Sequence, residues 1–214
     1  MFTDVFEITV LSLQVSLIAT GVSLFIGLPL GTWLALSRLR GRRFILSIIN
    51  TGMALPPVVV GLFVAIMLWR SGPLGGLKLI YTPVAIIIAQ TIIAAPVVTG
   101  LTASALQQLD PRLRLQLQGL GASTIQMVIS MWKEARLPLL AALMAGFGSV
   151  ISEIGASLMV GGNIRHQTRV LTTAIVLETG KGEFQNAIAL SVLLLLLAYA
   201  VNLGLTLIQQ RGNQ

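Results

Sequence analysis

The sequence predicts an all-α integral membrane protein of about five spanning helices, and three observations predict it. Of 214 residues, 55% are hydrophobic and only 10% charged, with a mean hydropathy of +0.90. Soluble globular domains carry about 25% charged residues, and a chain of this size lacks the interior to hide so much apolar surface. Residues 8–37, 44–69 and 79–109 carry no charge at all, and a bilayer core needs about 20 apolar residues per helix. Period-two alternation is absent, and barrel strands would be about half as long as these runs. A soluble enzyme and a disordered regulator are both excluded.

The first span is expected over 8–37. The MFTDVFE segment before it holds two acids and no base. A secretory signal opens on a basic region, so this helix is expected to be retained. Ser12, Ser16, Thr20, Ser23, Gly27 and Gly31 recur at helical spacing, a stripe on which backbones approach closely. The basic run RLRGRR at 38–43 then anchors the chain, and a second span follows over 44–69. Within it, ALPPVVVG places Pro56 beside Pro57, with Gly61 one turn on. Paired prolines leave carbonyls unpaired and bend a helix, which a bilayer tolerates only where protein or water satisfies the backbone. A gate or path lining and a static packing kink are the two readings.

The third span is expected over 82–106, followed by a loop over 107–136 that is long for a connection in a compact domain. Asp110-Pro111 reads as a helix cap with proline in the first turn. Gly119 and Gly121 break that helix, residues 125–135 make a second, and Leu137-Pro138 opens the next span. The fourth span is expected over 137–160, interrupted only by Glu153, with small and polar residues at 149, 152, 156 and 157. The fifth, over 186–208, holds the block LSVLLLLLAYAV. No domain boundary or internal repeat appears, so residues 1–214 form one transmembrane domain.

The formal charge is +7, from 14 Lys and Arg against 7 Asp and Glu. Such a balance fits nucleic acid, but in a membrane protein it reflects loops held on the cytoplasmic side. With the N-terminus outside, Arg38, Arg40, Arg42, Arg43, Arg112, Arg114, Lys133, Arg136 and Arg211 fall inside. Arg70, Lys78, Arg165, Arg169 and Lys181 fall outside. An N-out, C-in topology in the cytoplasmic membrane is the expectation.

Catalysis by this chain is not expected. It has no cysteine and one histidine, His166, too few to complete a Cys/His pair or an ordinary metal site. No GxxxxGK[ST] loop offers nucleotide binding. Asp4 and Asp110 lie outside the spans, so an intramembrane aspartate pair is excluded too. Transport is the remaining class. Glu153, an ionisable group at membrane depth, is a candidate gate or path residue or a satisfied structural carboxylate. Asn163, Arg165 and Arg169 lie with glycines and threonines on the outer side. They supply donors that attract a small oxyanion, or a solvated loop that meets a partner protein.

LPPVVVGLF with GPLG at 72–75, and EIGASLMVGGNI with TRVLTTAI, resemble the permease subunit of type I ABC importers of the molybdate, tungstate and sulfate group. SGPLGGLKLIYTPVAIIIAQ and VGGNIRHQTRVLTTAIVLETGKG are most similar to the tungstate-specific permeases. The 107–136 loop resembles the EAA loop by which such permeases meet their ATPase. Gly121, between Leu120 and Ala122, takes the place of that motif's glycine, and Leu137-Pro138 that of its closing Leu-Pro. The Glu-Ala-Ala positions here are Leu115, Gln116 and Leu117, and four extra residues separate Gly121 from Pro138.

The resemblance implies the MetI-like fold and a second copy of the chain across a two-fold axis. It further implies two copies of a separate ATPase that binds ATP and magnesium, and an extracytoplasmic oxyanion-binding protein. No cofactor or metal is implied in this chain, and no nucleic acid. Molybdate, sulfate or methionine permeases are the alternatives within the architecture, and an ATP-independent channel or carrier lies outside it.

Overall fold

The computed structural model describes residues 2–37 and 40–211, the side chains of Phe2, Thr3, Ile208 and Arg211 aside. Arg38, in the basic run, and the Arg211 side chain lie outside the described residues. Every regular element among those residues is helical. Helix α1 (Phe2–Leu36) runs 35 residues, about 52 Å at 1.5 Å per residue. Among the described residues it is one of three helices long and apolar enough to cross a membrane, with α4 (Pro83–Gln107) and α10 (Phe184–Arg211). Two bent helix pairs raise the candidates to five.

The 44–69 stretch is not one straight helix. It divides into α2 (Arg42–Met53) and α3 (Pro57–Leu68), whose axes differ by 97°. The cause is local. A residue that precedes proline is pushed out of the helical region, and Pro56, held before Pro57, takes φ −62 and ψ 125. The 12 residues of α3 reach only about 18 Å, short of a bilayer core of roughly 30 Å.

The next three helices are α5 (Pro111–Gly119), α6 (Thr124–Glu134) and α7 (Arg136–Ile151), the last two bent by 76°. Helix α7 gives way at residues 152–154 to α8 (Gly155–Gly161), so the expected fourth span is broken as well. Helix α9 (Leu171–Gly180) and α10 complete the chain.

Helix α4 is the centre, with α1, α2, α3, α7 and α8 packed around it. The small-residue stripe of α1 is the seam against it: Ser12, Ser16, Thr20 and Ser23 are all buried. A Cβ on Gly27 would stand 2.8 Å from Val98 Cγ1, and one on Gly31 2.7 Å from Thr102 Cβ. Only glycine permits that approach of two backbones. Helix α2 crosses α4 where a Cβ on Gly52 would lie 3.0 Å from Pro96. One core cluster joins Val15, Val60, Val64, Leu68, Ile86 and Val160. At the end that holds α5 and α6, Leu106, Met127, Met131 and Ala135 form another. Helix α10 rests on α9 and α7 and exposes Phe184, Ile188, Leu195 and Tyr199, an apolar surface suited to acyl chains.

Candidate functional site

The two helix breaks meet. Helix α3 packs on α8: a Cβ on Gly61 would lie 2.5 Å from Ala156 Cα, and one on Gly155 would run into Val58 Cγ2. Pro56 and Pro57 at the start of α3 therefore stand beside the start of α8. Two helix N-termini share one place, each with the positive end of its backbone dipole. Around it Leu55, Val58, Val59, Phe63 and Ile154 are exposed, and Ser152 adds an exposed hydroxyl.

Glu153 sits in the second break and is turned inward, 5% exposed. Its Oε1 accepts from the Ala156 amide at 2.6 Å, and its Oε2 from the Ser157 amide at 3.0 Å and the Ser157 hydroxyl at 2.8 Å. A buried carboxylate is stable only when hydrogen-bonded, and amide donors to an ionised acceptor are among the stronger bonds. The Glu153 carbonyl also accepts from Thr172 Oγ1 at 2.9 Å, which ties the break to α9. Gln90 Nε2 donates to the Val150 carbonyl at 3.2 Å, which also accepts from the Glu153 amide at 3.2 Å. These partners all come from protein, which is how a bilayer tolerates a broken helix.

Helices α5 and α6 form a knob at one end of the bundle. Asp110 caps α5 through the Arg112 amide at 2.8 Å, with Pro111 in the first turn. The turn after it is built twice over. Ala122 N–H donates to Leu117 O and Gly121 N–H to Gln118 O, each at 3.0 Å, with Gly121 at φ +76: a Schellman motif. Ser123 and Gln126 then close a capping box on α6, which satisfies two further amides. Met127 and Met131 face the bundle, whereas Leu115, Leu120 and Ile125 are 67%, 83% and 73% exposed around the turn. Ala122 is half-buried beside them, as is Leu137, while Pro138 is exposed at the start of α7. Among the described residues, Trp132 Nε1 donates to Thr32 Oγ1 at 2.9 Å and Arg114 Nη1 to the Leu36 carbonyl at 3.3 Å, which fixes the knob to α1.

Asn163, Arg165 and Arg169 lie at the opposite end, away from the breaks. Arg169 Nε donates to Asn163 Oδ1 at 3.1 Å, and Asn163 Nδ2 to the Thr173 carbonyl at 3.3 Å. Arg165 Nη2 is 2.7 Å from Asp4 Oδ2 on α1. These side chains brace the segment that leads into α9, whose first amide, Leu171 N–H, donates to Ser12 Oγ at 2.8 Å. A cavity of about 620 Å³ opens beside them, lined by Asp4, Glu7, Arg165, His166 and Arg169 above Ile8 and Leu190. The Lys181 ammonium, 2.7 Å from Glu178 Oε1, holds that carboxyl below the usual carboxylate range.

Several features escaped the sequence reading. Leu115 and Ile125 complete the exposed apolar turn, and Ser-x-x-Gln at 123–126 was a legible capping signal. The juxtaposition of Asp4, Glu7 and His166 across about 160 residues had no local signal.

The family described as binding-protein-dependent transport system inner membrane component matches residues 27–213. A probable anion ABC transporter permease protein of Haloferax volcanii is 41% identical over 205 residues, 94% of this chain and 88% of that protein. The tungstate uptake system permease protein TupB of Peptoclostridium acidaminophilum is 38% identical over 199 residues, 93% of this chain and 87% of its own length. Among solved structures, an inward-facing MetNI methionine ABC transporter superposes with a TM-score of 0.78 at 22% identity, over 100% of this chain and 96% of that one.

Proposed function

Because the chain belongs to the family of binding-protein-dependent transport system inner membrane components, as the permease subunit of an oxyanion ABC importer, we propose that its cargo is tungstate. The observation that carries this is the likeness, over 93% of the chain, to a tungstate uptake permease. The chain is a multi-pass component of the inner membrane, and ATP is hydrolysed by a separate subunit. Membership of this family implies an ATPase and a substrate-binding protein as partners.

In this reading two copies of the chain enclose one path about a two-fold axis, with two ATPase subunits at the knob end. The knob end is cytoplasmic, with the N-terminus outside. The exposed turn at Leu115, Leu120 and Ile125 docks on the ATPase, an apolar helical face laid in a groove being a recurring mode of recognition. ATP binding draws the knobs of the two copies together. Each knob is fixed to α1 by Trp132 and Arg114, so its displacement turns the bundle as a body.

The path runs past the two breaks. Pro56, Pro57 and Gly61 form a narrow apolar gate, and Glu153 is turned inward onto the Ala156 and Ser157 donors, so it does not coordinate the anion. Asn163, Arg165 and Arg169 brace the outer end of the path. Tungstate and molybdate are close in size and charge, so the binding protein makes most of the choice. This chain holds no cofactor for the cycle, since ATP and magnesium belong to the ATPase.

Uptake of tungstate, molybdate and sulfate at nanomolar supply, measured in cells lacking this chain, tests the reading. Loss of tungstate accumulation alone is the expected result. Equal loss of molybdate would replace the cargo with the wider oxyanion class, and unchanged uptake of all three would overturn it.

A further inference from the structure

Helix α2 turns a polar face away from the bundle. Its other side lies on α4: a Cβ on Gly52 would stand 3.0 Å from Pro96, and one on Gly100 would meet Met53 Sδ and Ile49 Cγ2. Opposite that contact, Arg43, Ser47 and Thr51 are spaced four apart, with Asn50 three on from Ser47. Such steps stack side chains on one helical face, and all four are exposed.

Depth decides what this face can meet. Pro96 is near the middle of the 25 residues of α4, with about 20 Å of helix on one side of it and about 17 Å on the other. Gly52, packed against Pro96, therefore brings the C-terminal end of α2 to the middle of a spanning helix. Asn50 and Thr51 share that depth, and Ser47 lies one turn nearer the basic run. Polar side chains inside a membrane turn to protein or to a water-filled cavity and not to acyl chains. Helix α4 is on the far side of α2. An open hollow of about 570 Å³ covers the face, and its lining from Arg43 to Ala54 belongs wholly to α2 and its C-cap. One wall of a channel is present, and a second copy across the two-fold axis supplies the other.

The chemistry of this wall suits an anion. Residues 8–109 hold no Asp or Glu, so α2, α3 and α4 bring no carboxylate to it. Arg43, Ser47 and Asn50 supply guanidinium, hydroxyl and amide donors. Thr51 Oγ1 donates to the Ser47 carbonyl at 2.9 Å and offers its lone pairs to water. One cation and a few neutral dipoles bind a hydrated anion loosely, and an ion that must leave again needs loose binding.

We infer that Arg43, Ser47, Asn50 and Thr51 of the two copies line the cytoplasmic half of the path and pass the oxyanion from the proline break to the cytoplasm. The inference rests on the two-fold importer reading and names the residues of its inner half. Ala54, at the end of the hollow, stands two residues before Pro56, so the lining is continuous with the gate.

The chain has no cysteine, so single cysteines report without background. Ser47→Cys, Asn50→Cys and Thr51→Cys are made in the full permease, purified with its ATPase and reconstituted in vesicles with the ATPase side outward. A charged, membrane-impermeant thiol reagent is then added. Without nucleotide all three are expected to react, and Ile48→Cys, exposed on the apolar side of α2, is not. Trapping the complex with ATP and vanadate is expected to remove most of that reactivity. In cells, Arg43→Gln is expected to lower oxyanion uptake about tenfold, the lower end of what a focusing charge contributes, and Arg43→Lys to restore part of it. Where a cysteine variant fails to elute with the ATPase, the Arg43 pair carries the test. Silence at 47, 50 and 51, with the same thiols reacting after unfolding, would overturn the inference in favour of a packed or lipid-facing helix. Equal reaction at 48, or rates unchanged by trapping, would instead mark a helix merely bathed in cytoplasm, and undiminished uptake by Arg43→Gln would remove the anion from this face. Labelling does not depend on which anion is carried, so its failure is distinct from a failure of the tungstate reading.

Discussion

Gly61 lies so directly against Ala156 that a methyl group on Gly61 would stand 2.5 Å from the Ala156 Cα. The contact is backbone against backbone, so no side chain can swing away to make room. It joins the two broken spans at the place where each one restarts, and the angle of α3 against α8 depends on it.

Gly61→Ala is therefore expected to push α3 off α8 and to destabilise the fold by about 1–3 kcal/mol, the usual cost of overpacking. Thermal unfolding of the purified complex should show the loss, and oxyanion uptake should fall while membrane insertion persists. An unchanged Tm with wild-type uptake would mean that the two breaks do not bear on one another.

Glu153→Ala leaves the Ala156 and Ser157 amides without the carboxylate they donate to. Leaving such donors buried and unpaired costs about 1–3 kcal/mol each. A loss of several kcal/mol and poor membrane accumulation are expected. Glu153→Gln keeps an acceptor oxygen and should retain part of that stability. The ratio of folded complex in the two variants, by fluorescence-detected size exclusion, separates a helix-capping role from a path-lining one, which would depress uptake with little effect on folding.

What was legible in the sequence is local. Asp110-Pro111 and Gly121 act within one turn of chain, and the Asp110 cap and the Gly121 turn form where the residue types placed them. Apolar run length marked the long helices α1, α4 and α10, because a run that must cross a bilayer core needs about 20 residues. Pro56-Pro57 announced a break but not its 97° angle, which depends on α3 fitting α8 through Gly61 and Gly155. Glu153 was visible as a charge at depth, yet its partners depended on the restart of a helix at Gly155. Arg165 and Arg169 read as anion donors or as part of a solvated loop, and their acceptors within the chain, Asp4 and Asn163, are fixed only by folding.

Gly27→Leu tests the α1–α4 seam. Even a Cβ there would lie 2.8 Å from Val98 Cγ1, so a leucine must displace α1 from α4. Transport should fall, with insertion into the membrane retained, since the variant is more apolar than the parent. Normal uptake by this variant would show that the seam tolerates an opening of several ångströms.

The Glu178–Lys181 pair gives a pH-dependent term of known sign. The folded-state value of Glu178 is lowered, first by its hydrogen bond from Lys181. Its contribution is therefore present at neutral pH and lost as pH falls through the lowered value. An exposed pair of this kind is worth under about 1 kcal/mol. Glu178→Gln should lower the Tm by at most a few degrees at pH 7, and the difference from wild type should shrink toward pH 3. A difference that grew on acidification would reverse the assignment.

Gly121 holds the knob's turn at φ +76, with no neighbouring atom within 4 Å of a Cβ placed there. The cost of replacing it is thus conformational and not steric crowding, about 1–2 kcal/mol for an L-residue other than Asn or Asp in the left-handed region. Gly121→Val should unwind the Schellman turn, displace Leu120 and Ile125, and release the ATPase from detergent-solubilised complexes. Gly121→Asn, tolerant of that backbone, should retain it. Co-purification of the ATPase with both variants at wild-type levels would move the docking contact away from this turn. Release by both would assign the contact to the bare backbone at Gly121, because only there does any side chain, however tolerant of the turn, stand in the partner's way.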